Sequence, residues 1–132
     1  MNEEHEEIVQ PKGDLALQTI AMPRDANFNG DIFGGWLVSQ MDLAGAVTAN
    51  RIAEGRVATV AIDSMVFLSP VAIGSVVSCY CDVLDIGRSS ISLNIEVWAK
   101  HHKTQEVRKV TEGRFTFVAI NDDKRTRPIP KG

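Results

Sequence analysis

The sequence predicts an α+β fold in which one long central helix is wrapped by an antiparallel β-sheet of about five strands. Three observations predict it: a mostly apolar helical stretch, a run of segments rich in β-branched residues after it, and turn signals between those segments. With 132 residues, 44% of them hydrophobic, the chain has room for a single core. We expect a flexible N-terminus at 1–12, one domain at 13–121 and a C-terminal tail at 122–132.

The helix is predicted from Trp36 to about Ala53, where Gly55 supplies a stop. Apolar side chains keep most of its surface hydrophobic: Leu37, Met41, Leu43, Ala44, Val47 and Ile52. Covering only one face of such a helix would leave apolar surface in water. A sheet wrapped around the helix, and a second copy of the chain against it, are therefore expected.

Five strands are predicted from alternation and turn residues. They span 13–22, 57–67, 76–86, 89–103 and 108–121. In the third strand, one set of alternating side chains is assigned to the buried face: Val77, Cys79, Cys81 and Val83. The two cysteines are expected to be reduced core residues, since their spacing suggests neither a disulfide framework nor a metal site.

Composition excludes several classes of protein. A net charge of −3 argues against nucleic acid as a general partner. No apolar run reaches the roughly 18 residues of a membrane span, and the acidic N-terminal residues are unlike a secretory signal. We expect a cytoplasmic protein that binds neither nucleic acid nor membrane. From Lys100 onward, nine Lys or Arg face four acids, an excess suited to a phosphorylated small molecule.

One carboxylate and two glycines form a candidate site. Asp42 is the only acid between Asp31 and Glu54, and a lone acid in an apolar helix is a candidate general base. Gly34 and Gly35 at the helix start leave backbone N–H groups open to a carbonyl or an anion. Gly35 and Asp42 share nearly one helix face but lie roughly 10 Å apart. If two helices pair antiparallel, Asp42 of one subunit approaches the glycine turn of the other, forming two composite sites.

Six motifs give the chain a wider resemblance. They are AMP at 21–23, NFNGDIFGGW at 27–36, SQMD at 39–42, GRV at 55–57, FLSPV at 67–71 and GRSS at 87–90. With these motifs the chain resembles the hotdog-fold acyl-CoA thioesterases of the YciA type. The resemblance implies hydrolysis of fatty acyl-CoA, over a broad range of chain lengths, to free acid and CoA. It also implies an enzyme without metal or other cofactor, and a homodimer that assembles into a hexamer, a trimer of dimers.

The resemblance also assigns residue roles. It places the second catalytic residue at Asn27, whose amide would hold the water or polarise the carbonyl. The N–H of Gly35, together with that of Gly34, would stabilise the oxyanion. The hairpin residues Arg88, Ser89 and Ser90 would contact the nucleotide end of CoA.

Two supporting roles are expected from the sequence itself. Ser64 is a secondary candidate for orienting Asp42, and Asp31 is expected to cap the helix. Asp42 would act either as general base on water or as nucleophile through an anhydride, and the sequence leaves both open. The alternative function is a non-catalytic acyl-CoA sensor. A dehydratase would need a histidine near the loop before the helix, and the three histidines lie elsewhere.

Overall fold

One α-helix, a short 3-10 helix at Pro23–Asp25 and five strands make up the structure, a computed structural model that describes residues 10–131. The elements in chain order are β1 (Asp14–Ile20), α1 (Gly34–Ala53), β2 (Val57–Phe67), β3 (Val76–Ile86), β4 (Ser90–Lys100) and β5 (Val107–Ala119). Most of the predicted flexible N-terminus lies outside the described residues. Within 10–131, no helix has the length and apolar character needed to cross a membrane.

The five strands form one antiparallel sheet in the order β1-β3-β4-β5-β2. The helix contacts all five strands from one side of this sheet. The predicted α+β arrangement, with a single helix and five antiparallel strands, is therefore confirmed. β1 and β2 are the edge strands, and β4 lies at the centre of the sheet.

The core forms where small residues of α1 meet large residues of the sheet. The buried helix residues recur at helical spacing: Leu37, Met41, Ala44, Gly45, Thr48, Ala49 and Ala53. Opposite them, alternate residues of β4 and β5 are fully buried: Ile91, Leu93, Ile95, Val97, Phe115 and Phe117. A Cβ at Gly45 would lie 2.7 Å from the Phe117 ring. Glycine is thus required there for the helix to approach the sheet.

The element ends differ from the sequence prediction at several places. The helix begins at Gly34, two residues earlier than predicted, because Phe33 takes the extended N-cap conformation and its carbonyl accepts from the N–H of Trp36 and Leu37. β4 ends at Lys100 rather than at residue 103. There the chain turns through residues 101–106, closed by a bond from the His101 N–H to the Glu106 carbonyl.

The buried face of β3 is shorter than predicted. Val77, Cys79 and Cys81 are buried as expected, but Val83 is exposed together with Leu84 and Ile86. Val83 still pairs in register with Leu93, and the register shifts only beyond it, between Val83 and Asp85. Val83 therefore keeps the face predicted for it, but the prediction that it is buried is wrong, because an open cavity lined also by Arg51 and Ile52 of α1 lies against it.

Apolar surface remains exposed along the edge strand β2 and beside it on the helix. Val60, Ile62 and Val66 of β2 and Leu43 and Val47 of α1 are each about half exposed. An unpaired edge strand flanked by such residues is a surface that proteins usually cover. It is located where the sequence predicts pairing with a second copy.

Candidate active site

Asp42 lies between the buried and the exposed face of α1, where the helix passes β2. Met41 before it is fully buried and Leu43 after it is exposed, while Asp42 itself is partly buried. The Thr59 hydroxyl donates a hydrogen bond of 2.6 Å to Oδ1 of Asp42. This bond fixes one carboxylate oxygen and leaves Oδ2 available for chemistry.

Thr59 is the hydrogen-bond partner of Asp42 that the sequence did not indicate. A threonine in a strand is an ordinary β-branched residue, so no local signal singled it out. The predicted orienting residue, Ser64, lies further along β2, is exposed and has a positive φ of 54° within a bulge. Among the described residues, the side chain that hydrogen-bonds Asp42 is Thr59 and not Ser64.

The two glycines form the first turn of α1. The N–H groups of Gly34 and Gly35 donate to no acceptor within residues 10–131, as the geometry of a helix start dictates. A Cβ at Gly34 would lie 3.3 Å from the Phe67 ring, whereas one at Gly35 would meet no described atom within 4 Å. The Cα of Gly35 thus faces free space in the single chain, and the helix dipole favours negative charge at this end of α1.

Asn27 shapes the loop that precedes the helix. Its side-chain Oδ1 accepts hydrogen bonds from the N–H of Asn29 at 2.9 Å and of Asp31 at 3.1 Å. Its backbone N–H donates to the Asp31 carbonyl at 2.7 Å. Since the oxygen is committed to the loop, the side-chain NH₂ group remains as a donor. Asn27 is therefore equipped to polarise a carbonyl rather than to accept a proton.

Asp31 does not cap the helix. The N-cap is Phe33, two residues later, and no side chain hydrogen-bonds the cap position. Asp31 instead pairs with Ala72 in an isolated bridge, because its backbone closes the loop begun by Asn27. The prediction for this residue is wrong, and the helix N–H groups stay open as a result.

Asp42 and the Gly35 N–H of one chain cannot both reach one substrate atom. α1 runs without interruption from Gly34 to Ala53, so the rise of a helix separates Gly35 and Asp42 by roughly 10 Å. The Gly35 N–H must lie about 3 Å from an oxyanion to stabilise it. A site that used both Asp42 and the Gly35 N–H would therefore have to take the two groups from different copies of the chain.

The hairpin that joins β3 and β4 has a hydrogen-bonded backbone, and the guanidinium of its Arg88 has no hydrogen-bond partner within residues 10–131. The Gly87 N–H donates to the Ser90 carbonyl at 2.8 Å, and the Ser89 carbonyl accepts from the Ala119 N–H at 2.8 Å. Arg88 is exposed, while Ser89 and Ser90 are partly buried. The structure thus presents one cation from a rigid turn.

The two cysteines are buried free thiols, as expected. Burial, with a smaller contribution from Cys81, raises the pKa of the Cys79 thiol to about 12. Burial also raises the pKa of Cys81, although a hydrogen bond with Thr48 and the charge of Arg51 oppose the shift. Neither thiol is ionised near neutral pH, so neither is a nucleophile.

The family model of the thioesterase superfamily matches residues 29–106 of the chain. That stretch contains the glycine turn, the Asp42–Thr59 pair and the β3–β4 hairpin. The chain belongs to the thioesterase superfamily.

Three acyl-CoA thioesterases or hotdog fold thioesterases are similar to this chain in sequence or structure. It is 52% identical over 123 residues to the acyl-CoA thioester hydrolase YciA of Salmonella typhimurium, covering 91% of this chain and 92% of that protein. The structure of HI0827, a hexameric broad specificity acyl-coenzyme A thioesterase, matches with a TM-score of 0.88 and 52% identity, over 93% of this chain and 85% of that one. Cj0915, a hexameric hotdog fold thioesterase of Campylobacter jejuni, matches with a TM-score of 0.85 and 41% identity, over 89% and 91%. The predicted hotdog fold and YciA-type resemblance are confirmed.

Proposed function

We propose that this thioesterase hydrolyses acyl-CoA thioesters to free acid and CoA, with a broad range of acyl chains. The observation that carries the proposal is the Asp42–Thr59 pair, a carboxylate with one oxygen fixed at 2.6 Å and the other free. The open N–H groups of the first helix turn supply the complementary oxyanion site. The acyl-CoA thioesterases similar to the chain support this substrate class.

The site is completed by two subunits in this proposal. Asp42 and Thr59 come from one subunit, while Asn27, Gly34 and Gly35 come from its partner. The exposed apolar edge of β2 beside the half-exposed Leu43 and Val47 supports a homodimer that brings the two parts together. The hexameric state of HI0827 and Cj0915 supports a trimer of dimers for this chain as well.

Hydrolysis follows from these groups. The Asn27 NH₂ group polarises the thioester carbonyl, and the Gly35 N–H, with that of Gly34, stabilises the developing oxyanion. As general base, Asp42 removes a proton from water as the water oxygen attacks the carbonyl carbon. The tetrahedral intermediate then collapses, the C–S bond breaks and CoA leaves as thiolate. As nucleophile, Asp42 instead forms an acyl anhydride with release of CoA, and water hydrolyses the anhydride.

All of these steps use groups of the protein, so the proposed reaction needs no metal or other cofactor, and CoA takes part only as substrate and product. Ser64 is proposed to act in the dimer, because it is exposed on the edge strand β2, where the proposed partner would pack. The cytoplasmic location and the division into 1–12, 13–121 and 122–132 stay predictions.

Release of free thiol from a series of acyl-CoA substrates tests the function. Wild-type protein should release thiol from short and long acyl chains, and Asp42→Ala should abolish the release while the fold is retained. Asp123→Ala, which changes an exposed acid in the turn after β5, is the matched control. Binding of acyl-CoA without thiol release by the wild-type protein would identify a sensor instead.

Hybrid dimers test the composite site. Asp42→Ala and Asn27→Ala subunits are each expected to be inactive alone. A mixed dimer retains one site with both residues intact, so mixing should restore partial activity. Mixtures that form dimers and stay inactive would show that Asp42 and Asn27 act from the same subunit.

A further inference from the structure

The segment of residues 127–131, here called the C-terminal strap, packs on the β3–β4 hairpin. The Ile129 N–H donates to the Arg88 carbonyl at 2.7 Å, and the Arg127 N–H donates to the Ala119 carbonyl at 3.0 Å. The Ile129 side chain is only 8% exposed and belongs to the hydrophobic core. The strap is therefore held in place, although the sequence suggests a tail.

Further contacts stiffen the strap at its start. Nε of Arg127 donates to the Ile120 carbonyl at 3.0 Å. Its guanidinium also lies against Gly55, where an added Cβ would come within 2.7 Å of it. Pro128 and Pro130 restrict the backbone on either side of Ile129. The strap can thus act as a wall rather than as a mobile end.

A cavity of about 790 Å³ lies between the strap and the hairpin. Its volume is within the usual range for small-molecule sites, about 300–1,000 Å³. Ile86 and Pro128 supply part of an apolar lining, and the two charged residues that line it, Arg88 and Lys131, are both cations. None of the described residues that line it is an acid. The cavity suits a ligand with phosphate groups and a flat apolar part.

The cavity lies at a suitable distance from the catalytic carboxylate. Across the sheet, Thr59 pairs with Phe117, which pairs with Ile91. Arg88 precedes Ile91 by three residues, so strand spacing and rise place it about 14 Å from Thr59. This separation is comparable with that between the thioester and the phosphates of an extended acyl-CoA.

We propose that the C-terminal strap forms the second wall of the CoA nucleotide site and that Lys131 binds a phosphate of CoA opposite Arg88. This inference rests on the proposed function. Arg88 offers a planar pair of donors on one side, and Lys131 offers a compact charge on the other. The strap fixes Lys131 because Ile129 anchors it to the hairpin that carries Arg88.

Substrates that share an acyl chain but differ in the carrier test the role of Lys131. Lys131→Ala should raise KM for an acyl-CoA roughly three- to tenfold at low salt, with kcat unchanged. It should leave KM for the corresponding acyl-pantetheine, which has no phosphate, at the wild-type value. Lys103→Ala removes an exposed lysine from the β4–β5 loop and should leave both unchanged.

The rise in KM should shrink as salt is added, because ions screen an exposed pair. An acyl thioester of dephospho-CoA, which lacks the 3′-phosphate, locates the contact. If the rise in KM on Lys131→Ala vanishes with this substrate, Lys131 binds the 3′-phosphate. If the rise persists, Lys131 binds the diphosphate. Equal effects on CoA and pantetheine esters, or no difference from Lys103→Ala, would overturn the inference. Calorimetry with CoA alone measures the effect of Lys131 on binding even if the wild-type protein proves to have no hydrolytic activity.

Discussion

Replacing Thr59 by valine removes one hydrogen bond and little else. Valine has nearly the shape of threonine and suits a strand equally well, so β2 should form unchanged. The loss is the 2.6 Å bond from the Thr59 hydroxyl to Oδ1 of Asp42. Without it the carboxylate is free to rotate away from the position in which Oδ2 faces the substrate.

The size of the effect follows from the nature of this bond. A hydrogen bond to a charged group contributes about 1.5–3 kcal/mol net. Thr59 is exposed in the single chain, so water can replace part of the interaction and the lower value applies. Because about 1.4 kcal/mol corresponds to a factor of ten in rate, kcat should fall roughly tenfold. KM should stay constant, since Thr59 lies away from the basic cavity at the hairpin.

Steady-state thiol release with one acyl-CoA measures the change, and thermal unfolding verifies the fold. Thr59→Ser keeps the hydroxyl and should retain most of the activity. A kcat for Thr59→Val within twofold of wild type, or equal losses in the valine and serine variants, would refute the positioning role.

Three further changes test the glycines and a buried thiol. Gly35→Ala should keep the melting temperature, since its Cβ would meet no described atom within 4 Å, but lower kcat by obstructing the carbonyl; unchanged kcat would place the carbonyl elsewhere. Gly45→Ala should lower the free energy of unfolding in urea by about 1–3 kcal/mol, because its Cβ would lie 2.7 Å from Phe117, and an unchanged midpoint would contradict the packing. The pKa of Cys79 is raised from 9.0 to about 12, so the unfolded thiol ionises first and the free energy of unfolding should fall between these pH values, by at most about 1.4 kcal/mol per pH unit. Cys79→Val should show a smaller fall over that range, and identical pH profiles would argue against a buried neutral thiol.

Much of the fold could be predicted because it depends on local patterns. The bounds of β2 and β3 follow from alternating β-branched residues between Gly and Pro signals, and the structure places both strands as predicted. The helix follows from its apolar surface and from the stop at Gly55. The errors occur where tertiary packing decides burial, as at Val83, which pairs in register with Leu93 but lies beside an open cavity.

The candidate site was only half accessible to such reasoning. Asp42 stands out as a lone acid in an apolar helix, and the glycine pair stands out at the helix start. Thr59 has no such signal, because its bond to Asp42 comes from the crossing of α1 and β2 and not from its sequence neighbours. Lys131 has none either, because it lines a cavity together with the hairpin residue Arg88 only where Ile129 is anchored to the hairpin.

The elements, the thioesterase resemblance and the separation of Asp42 from the glycine turn can be predicted from the amino-acid sequence, since motifs, helical rise and side-chain periodicity are properties of the local chain. The hydroxyl that holds Asp42, the free NH₂ group of Asn27 and the packing of residues 127–131 follow instead from tertiary contacts. These contacts join residues far apart in the chain. Which residues meet is set by the packing of the helix on the sheet, because the core fixes the register and the distance of these two surfaces. The sequence of one surface carries no signal that identifies its contacts on the other.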